Sequence, residues 1–185
     1  MRIISGKARG VRLETPKGEE ITRPTAERVK EAVFSMIQFE LENTRVLDLF
    51  GGSGQMALEA LSRGADSAVI CDTSREAIAA IRANAEKTGL KSDLRIFETD
   101  YKSLIRTYHG KDPFDVIFLD PPYAQNLIPD AIDRLLRANL IAPGGIVICE
   151  SDSDQPIQNS ALKLRKFAKY GRIYITVLVN EVNFE

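Results

Sequence analysis

The chain has no tryptophan, a single histidine and two cysteines among its 185 residues, and each scarcity removes a class of chemistry. His109 stands alone between Tyr108 and Gly110, so neither a histidine-based metal centre nor a Ser-His-Asp triad has its raw material. Cys71 and Cys149 fall in separate apolar segments 78 positions apart, with no C-x-x-C pairing. They read as small buried core residues, not as a disulfide or zinc ligands. No apolar run reaches the ~18 residues that a membrane-spanning helix needs. The opening Met1-Arg2-Ile3-Ile4-Ser5-Gly6-Lys7 lacks the apolar stretch of a secretory signal, and the cytoplasm is the expected location. Excess charge of one sign is missing as well, since 25 Lys and Arg face 26 Asp and Glu.

That balance hides an asymmetry. Residues 1–30 hold eight basic side chains against four acids, leaving the remaining residues with 17 basic and 22 acidic. A cationic amino-terminal arm on a mildly acidic body fits an anionic polymer at one face. Arg2, Lys7, Arg9, Arg12 and Arg23 are the candidate phosphate contacts. With 44% hydrophobic residues the chain can bury a full core. It reads as a single domain over 1–185, with 1–40 an extension that would contact such a polymer and 41–185 the core.

The pattern along the chain is α/β. Arg2-Ile3-Ile4 and Val11-Arg12-Leu13 flank a polar link with two glycines, Gly6 and Gly10, which suggests a hairpin carrying Lys7 and Arg9. After a turn at Pro16-Lys17-Gly18, Arg23-Pro24-Thr25 opens a helix with Thr25 as its cap. Val29, Ala32, Val33, Met36 and Ile37 form its apolar stripe. From Arg45 on, apolar strands alternate with helices. The strands are 46–50, 68–71, 94–97, 116–119 and 146–149. The helices are 55–63, one capped by Thr73 with Glu76 and stopped at Gly89, and 128–138. Such near-continuous apolar strands indicate a doubly wound, mostly parallel sheet covered on both faces. Segments 162–167 and 173–179 read as an antiparallel closing pair around Tyr170-Gly171.

Two motifs carry the chemistry. Leu47-Asp48-Leu49-Phe50-Gly51-Gly52-Ser53-Gly54 is a glycine-rich turn after a strand, and Asp120-Pro121-Pro122-Tyr123 follows another, 72 positions on from Asp48. The glycines let backbone approach a ligand closely at a helix amino terminus, where free N–H groups favour an anionic group. Asp72 ends the next strand, where an acid usually takes ribose hydroxyls. Asp100 ends the one after and can accept from an adenine amine, with Tyr101 flanking the ring. Together they describe an adenosine ligand with a polar tail. The two prolines fix a stiff platform that presents one carboxylate and one aromatic face to a planar group. In an open sheet all of these residues fall in one crevice at the strands' carboxyl ends. Gly52-x-Gly54-x-x-Ala57 also matches a dinucleotide fingerprint, so an NAD-dependent oxidoreductase stands as one alternative. A non-catalytic RNA-binding module is another.

The paired motifs resemble the S-adenosylmethionine (SAM)-dependent N-methyltransferases that carry an Asp-Pro-Pro-Tyr motif. Met1 to Gly10, Arg23-Pro24-Thr25 with Arg28 to Phe34, and Leu58 to Ala65 extend that resemblance to the RsmD-type bacterial enzymes over nearly the whole length. The resemblance implies a Rossmann-like, class I SAM-methyltransferase sheet of seven strands with a short amino-terminal hairpin and helix. It further implies SAM as cofactor with no metal, and methyl transfer to the N2 amine of one guanine in 16S rRNA within an assembling small subunit. No membrane and no obligate protein partner are expected. It places SAM at Asp48, Phe50, Gly51, Gly52, Ser53, Gly54, Asp72, Thr73, Asp100 and Tyr101, with Asp48 at the methionine end. Asp120, Pro121, Pro122 and Tyr123 are the catalytic turn. Gln55-Met56 and Gly51 depart from the residues usual in the family. The residues alone do not separate guanine N2 from adenine N6 or cytosine N4.

Overall fold

The computed structural model describes residues 1–16 and 24–181. They build a seven-stranded sheet from β1 (Arg45–Asp48), β2 (Ser67–Asp72), β3 (Leu94–Glu98), β4 (Phe114–Leu119), β5 (Ile141–Ser151), β6 (Lys163–Tyr170) and β7 (Ile173–Val179). The order across the sheet is β3-β2-β1-β4-β5-β7-β6. The first five strands are parallel, and β7 runs antiparallel between β5 and β6. Strand order reverses between β1 and β4, so the crevice of a doubly wound sheet opens there.

Among the described residues five α-helices cover the faces: α1 (Pro24–Met36), α2 (Gln55–Ser62), α3 (Arg75–Thr88), α4 (Tyr101–Tyr108) and α5 (Ile128–Arg137). Alternate residues of the inner strands feed two cores. Val46, Ile70, Phe118 and Ile148 pack with Phe34, Leu58 and Ile81 from α1, α2 and α3. Leu47, Val69, Ile117 and Val147 pack with Leu104, Ile132 and Leu135 from α4 and α5. Burial on both faces is why the strands read as unbroken apolar runs. Cys71 and Cys149 are free and buried in the second core, as expected. Among the described residues no helix is long and apolar enough to cross a membrane.

Several local expectations change. The helix after β2 is capped by Ser74, not Thr73: Ser74 Oγ accepts from Ala77 N at 3.3 Å. Asp72 Oδ1 accepts from Ser74 N at 2.8 Å, a tight Asx turn that moves the helix start one residue on. Helix α4 was absent from the sequence reading although Tyr101, Leu104, Ile105 and Tyr108 form a buried i, i+3, i+4, i+7 stripe. β5 begins at Ile141, five residues before the expected strand, and β6 runs from Lys163 to Tyr170 instead of 162–167. Helix α1 starts at Pro24, so Thr25 falls inside it and not at its cap. Arg23 and most of the expected turn at Pro16-Lys17-Gly18 lie outside the described residues.

The amino-terminal hairpin forms, with Ile3 N donating to Val11 O and Gly10 N to Ile3 O at 2.9 and 2.8 Å. It is fixed to the core by the fully buried Glu59 of α2, whose carboxylate accepts from Ile4 N and Ser5 N at 2.8 and 3.0 Å. Glu59 also pairs with Lys30 at 3.3 Å and Arg63 at 2.8 Å. Lys30, buried on α1, donates to the Arg2 carbonyl, and burial holds its ammonium below the usual lysine range. Gly6 takes φ +83°, and a Cβ there would lie 1.7 Å from the Ser62 carbonyl oxygen. Only glycine permits this approach.

Candidate active site

The carboxyl ends of β1, β2, β3 and β4 enclose a crevice of about 650 Å³. Phe50, Gly52, Asp72, Thr73, Asp100 and Tyr101 line one part, and Asp120, Pro121, Pro122 and Tyr123 line the other. This volume lies within the range of small-molecule sites. Leu49 and Ser74, with Thr99, Gln125 and Leu127, complete the wall.

On the first side, Asp72 Oδ2 accepts from Gly52 N at 2.9 Å, so the acid is oriented by the glycine turn itself. Gly52 has φ +54°, and a Cβ there would meet nothing within 4 Å, so open crevice stands beside its backbone. Asp100 caps α4 through Ser103 N at 3.0 Å and Ser103 Oγ at 2.8 Å. Those hydrogen bonds from Ser103 hold its carboxyl below the usual range. The Tyr101 ring lies 5.4 Å from that of Phe50, tilted by 43°. Its hydroxyl donates to Asp130 Oδ2 at 2.6 Å. Burial, then the Asp130 hydrogen bond, pushes its pKa up to about 12.

Asp48, Gly51, Ser53 and Gly54 sit behind the crevice wall, buried. Asp48 shapes the turn by accepting from Phe50 N at 3.3 Å, and burial pushes its pKa up to about 7. The free N–H groups expected of the turn are largely engaged: Gly51 N donates to Cys71 O, Gly52 N to Asp72, and Gly54 N to Gly51 O. A Cβ on Gly51 would lie 2.7 Å from Ile70 Cγ1 and 2.9 Å from Ile81 Cδ1, so the packing of this turn leaves room only for glycine. The turn therefore contributes shape and close backbone approach more than donors.

On the second side, the two prolines carry Tyr123 outward, where it is 42% exposed. Its hydroxyl donates to Glu150 Oε1 at 2.7 Å. Burial and the neighbouring Glu150 charge push the phenol up, and burial likewise pushes the Glu150 carboxyl up. Glu150 escaped the sequence reading. Its signal was available, since it follows the apolar run 146–149 as Asp120 follows 116–119. Gln55 and Met56, the departures from the family pattern, line a smaller cavity beside Asp120.

Of the candidate RNA contacts, Arg2, Lys7, Arg9 and Arg12 are carried on the hairpin, away from the core. Arg2 pairs with Glu27 at 3.0 Å. Lys7 N donates to Ser62 O at the far end of α2, about 10 Å along the helix from the glycine turn. The structure does not bring these residues to the crevice. A second cationic surface that the sequence reading passed over lies on edge strand β6, where Lys163, Arg165, Lys166 and Lys169 are exposed.

Comparison with known proteins places these observations in a family. The model for conserved hypothetical protein 95 matches residues 1–179. YlbH of Bacillus subtilis, assigned as an rRNA methyltransferase, is 32% identical over 155 residues, covering 83% of this chain and 84% of that protein. Ribosomal RNA small subunit methyltransferase D of Haemophilus influenzae is 30% identical over 158 residues, covering 85% and 81%. The solved structure of Escherichia coli yhhF, assigned as a methyltransferase, superposes with a TM-score of 0.85 at 27% identity over 99% of both chains.

Proposed function

The chain belongs to the conserved hypothetical protein 95 family of RsmD-type methyltransferases, and from that premise we propose that it methylates the N2 amine of a guanine in small-subunit (16S) rRNA, using SAM. The observation that carries the reading is the convergence at one crevice of an adenosine-binding wall (Phe50, Gly52, Asp72, Asp100) and the Asp120-Pro121-Pro122-Tyr123 turn. An oxidoreductase or a passive RNA-binding module would leave that turn without work.

The residues fit the cofactor. Asp72 is held in place by Gly52 and Ser74 N–H groups, which leaves each carboxylate oxygen a lone pair for a ribose hydroxyl. Phe50 and Tyr101 supply an aromatic wall, and Gly52 keeps the adjoining space open. When bound, SAM supplies a methyl group already activated by its sulfonium. Because the leaving group is activated, positioning of the amine supplies most of what remains.

An aromatic amine is a weak nucleophile because its lone pair is delocalised into the ring. Asp120 and the Pro121 carbonyl accept its N–H bonds, draw the nitrogen toward tetrahedral geometry and stabilise the positive charge that develops. Asp120 then holds the proton that the nitrogen sheds once its lone pair has formed the N–C bond. Tyr123, anchored by Glu150, stacks on a base turned out of its helix, an interaction worth about 1–3 kcal/mol. Residues 1–40 serve as the RNA-contacting extension of a single domain, and the substrate is the RNA of an assembling small subunit in the cytoplasm. The test is transfer of labelled methyl from SAM to small-subunit rRNA by the purified protein, followed by nucleoside analysis. Label in N2-methylguanosine supports the reading; label in N6-methyladenosine or N4-methylcytidine, or none, refutes it.

A further inference from the structure

Asp120 lines not only the large crevice but also a cavity of about 110 Å³ beneath α1, whose polar walls are Lys30, Gln55, Asp120 and Glu150. Leu119 and Cys149 are register partners in the parallel β4–β5 pair, so Asp120 and Glu150 follow side by side at adjacent strand ends. Phe118 and Ile148 face the α1 core while Leu119 and Cys149 face the other. The alternation of strands turns the next position of each back toward α1. Two carboxyl groups thus line one small cavity, where the Lys30 ammonium is engaged by Glu59 and the Arg2 carbonyl. Glu150 is held by the Tyr123 hydroxyl on Oε1, which leaves Oε2 as its second acceptor.

A cavity of about 150 Å³ accommodates benzene, so this one suits the edge of a single six-membered ring and not a nucleoside. A ring edge that meets Glu150 Oε2 there must bring a donor to it. Guanine presents N1–H beside its N2 amine, whereas the amines of adenine and cytosine adjoin an unprotonated ring nitrogen, which is an acceptor. We propose that Glu150 is the specificity-determining residue of this site, its carboxylate accepting the guanine N1–H while Asp120 accepts from the N2 amine. The inference rests on the methyl-transfer reading and adds to it the reason for guanine over adenine or cytosine, a choice the sequence leaves open.

Two substrates separate this role from a structural one. RNA carrying 2-aminopurine at the target position keeps the exocyclic amine but has an acceptor at N1. Glu150→Gln preserves the side-chain volume and the acceptor for Tyr123, and replaces Oε2 by a donor. The wild-type protein is expected to prefer guanine over 2-aminopurine by roughly tenfold to a hundredfold in kcat/KM, the range of one hydrogen bond to a charged group. In Glu150→Gln that preference should collapse or invert, through a drop in activity on guanine, with SAM affinity and melting temperature near wild type. An equal drop on both substrates overturns the proposal, as does weakened SAM binding with the preference intact, which would assign the acid to the cofactor. Failure of the wild-type protein to methylate either RNA would instead bring down the methyl-transfer reading itself.

Discussion

Two residues carry distinct burdens at the site. Asp48 is buried with its pKa raised to about 7, so the folded state binds a proton that the unfolded chain releases near pH 4. Stability from this group is therefore complete below pH 4 and lost as pH rises toward 7. Asp48→Asn removes that dependence, and the difference in melting temperature between variant and wild type should shift in the variant's favour between pH 4 and 7. A pH-independent difference would show that Asp48 is not protonated in the fold. Tyr123 has two contributions that substitution can separate. Tyr123→Phe keeps the ring but removes the hydrogen bond to Glu150, for an expected decrease of up to about tenfold in kcat/KM. Tyr123→Ala also removes the stacking face and should cost roughly a further fivefold to a hundredfold. Equal rates for the two variants would mean that the ring does not stack on the base.

At the scale of elements, α2 joins the glycine turn to the hairpin. Its first residue follows Gly54, and its last turn holds the amino-terminal hairpin through Glu59 and Ser62. Glu59→Ala leaves Lys30 buried without its partner, an expected cost of about 3–5 kcal/mol. Gly6→Ala should release the same docked hairpin by steric conflict with Ser62 alone. Proteolysis near the amino terminus together with thermal melting checks both, and a hairpin as protected as in wild type in Gly6→Ala would contradict the docking. The strands were legible because burial on both faces leaves a plain apolar run, and Asp48, Asp72, Asp100 and Asp120 were legible because they follow such runs. Helix α4 was not, because its amphipathic stripe begins within the motif at Asp100-Tyr101 and was read only for ligand binding. Ser74 was missed because its capping depends on the Asp72 carboxylate, a side chain assigned to another task. Lys30 and Glu59 sit on helices as charges that a periodic reading sends to solvent, and only the three-dimensional meeting of hairpin, α1 and α2 buries them.

For the whole molecule, near-neutral net charge conceals two cationic surfaces on separate parts of the fold, the hairpin and strand β6. If the hairpin binds the RNA phosphates, Arg9→Ala with Arg12→Ala should weaken RNA binding at low salt. The double variant should also flatten the log-affinity against log-salt slope, by somewhat under one unit for each phosphate no longer neutralised. An unaltered slope, with a slope that flattens on replacing Lys166 and Lys169 instead, would transfer the role to β6. The central claim is that Asp120 presents a guanine amine of small-subunit rRNA to SAM, and one measurement addresses it most directly. Nucleosides of 16S rRNA from cells lacking this protein are compared by mass spectrometry with those from cells complemented by the wild-type protein or by Asp120→Ala. One N2-methylguanosine should disappear in the deletion, return with the wild-type protein and stay absent with Asp120→Ala, although that variant still binds SAM in calorimetry. Unchanged N2-methylguanosine in the deletion, or its full return with Asp120→Ala, would contradict the claim.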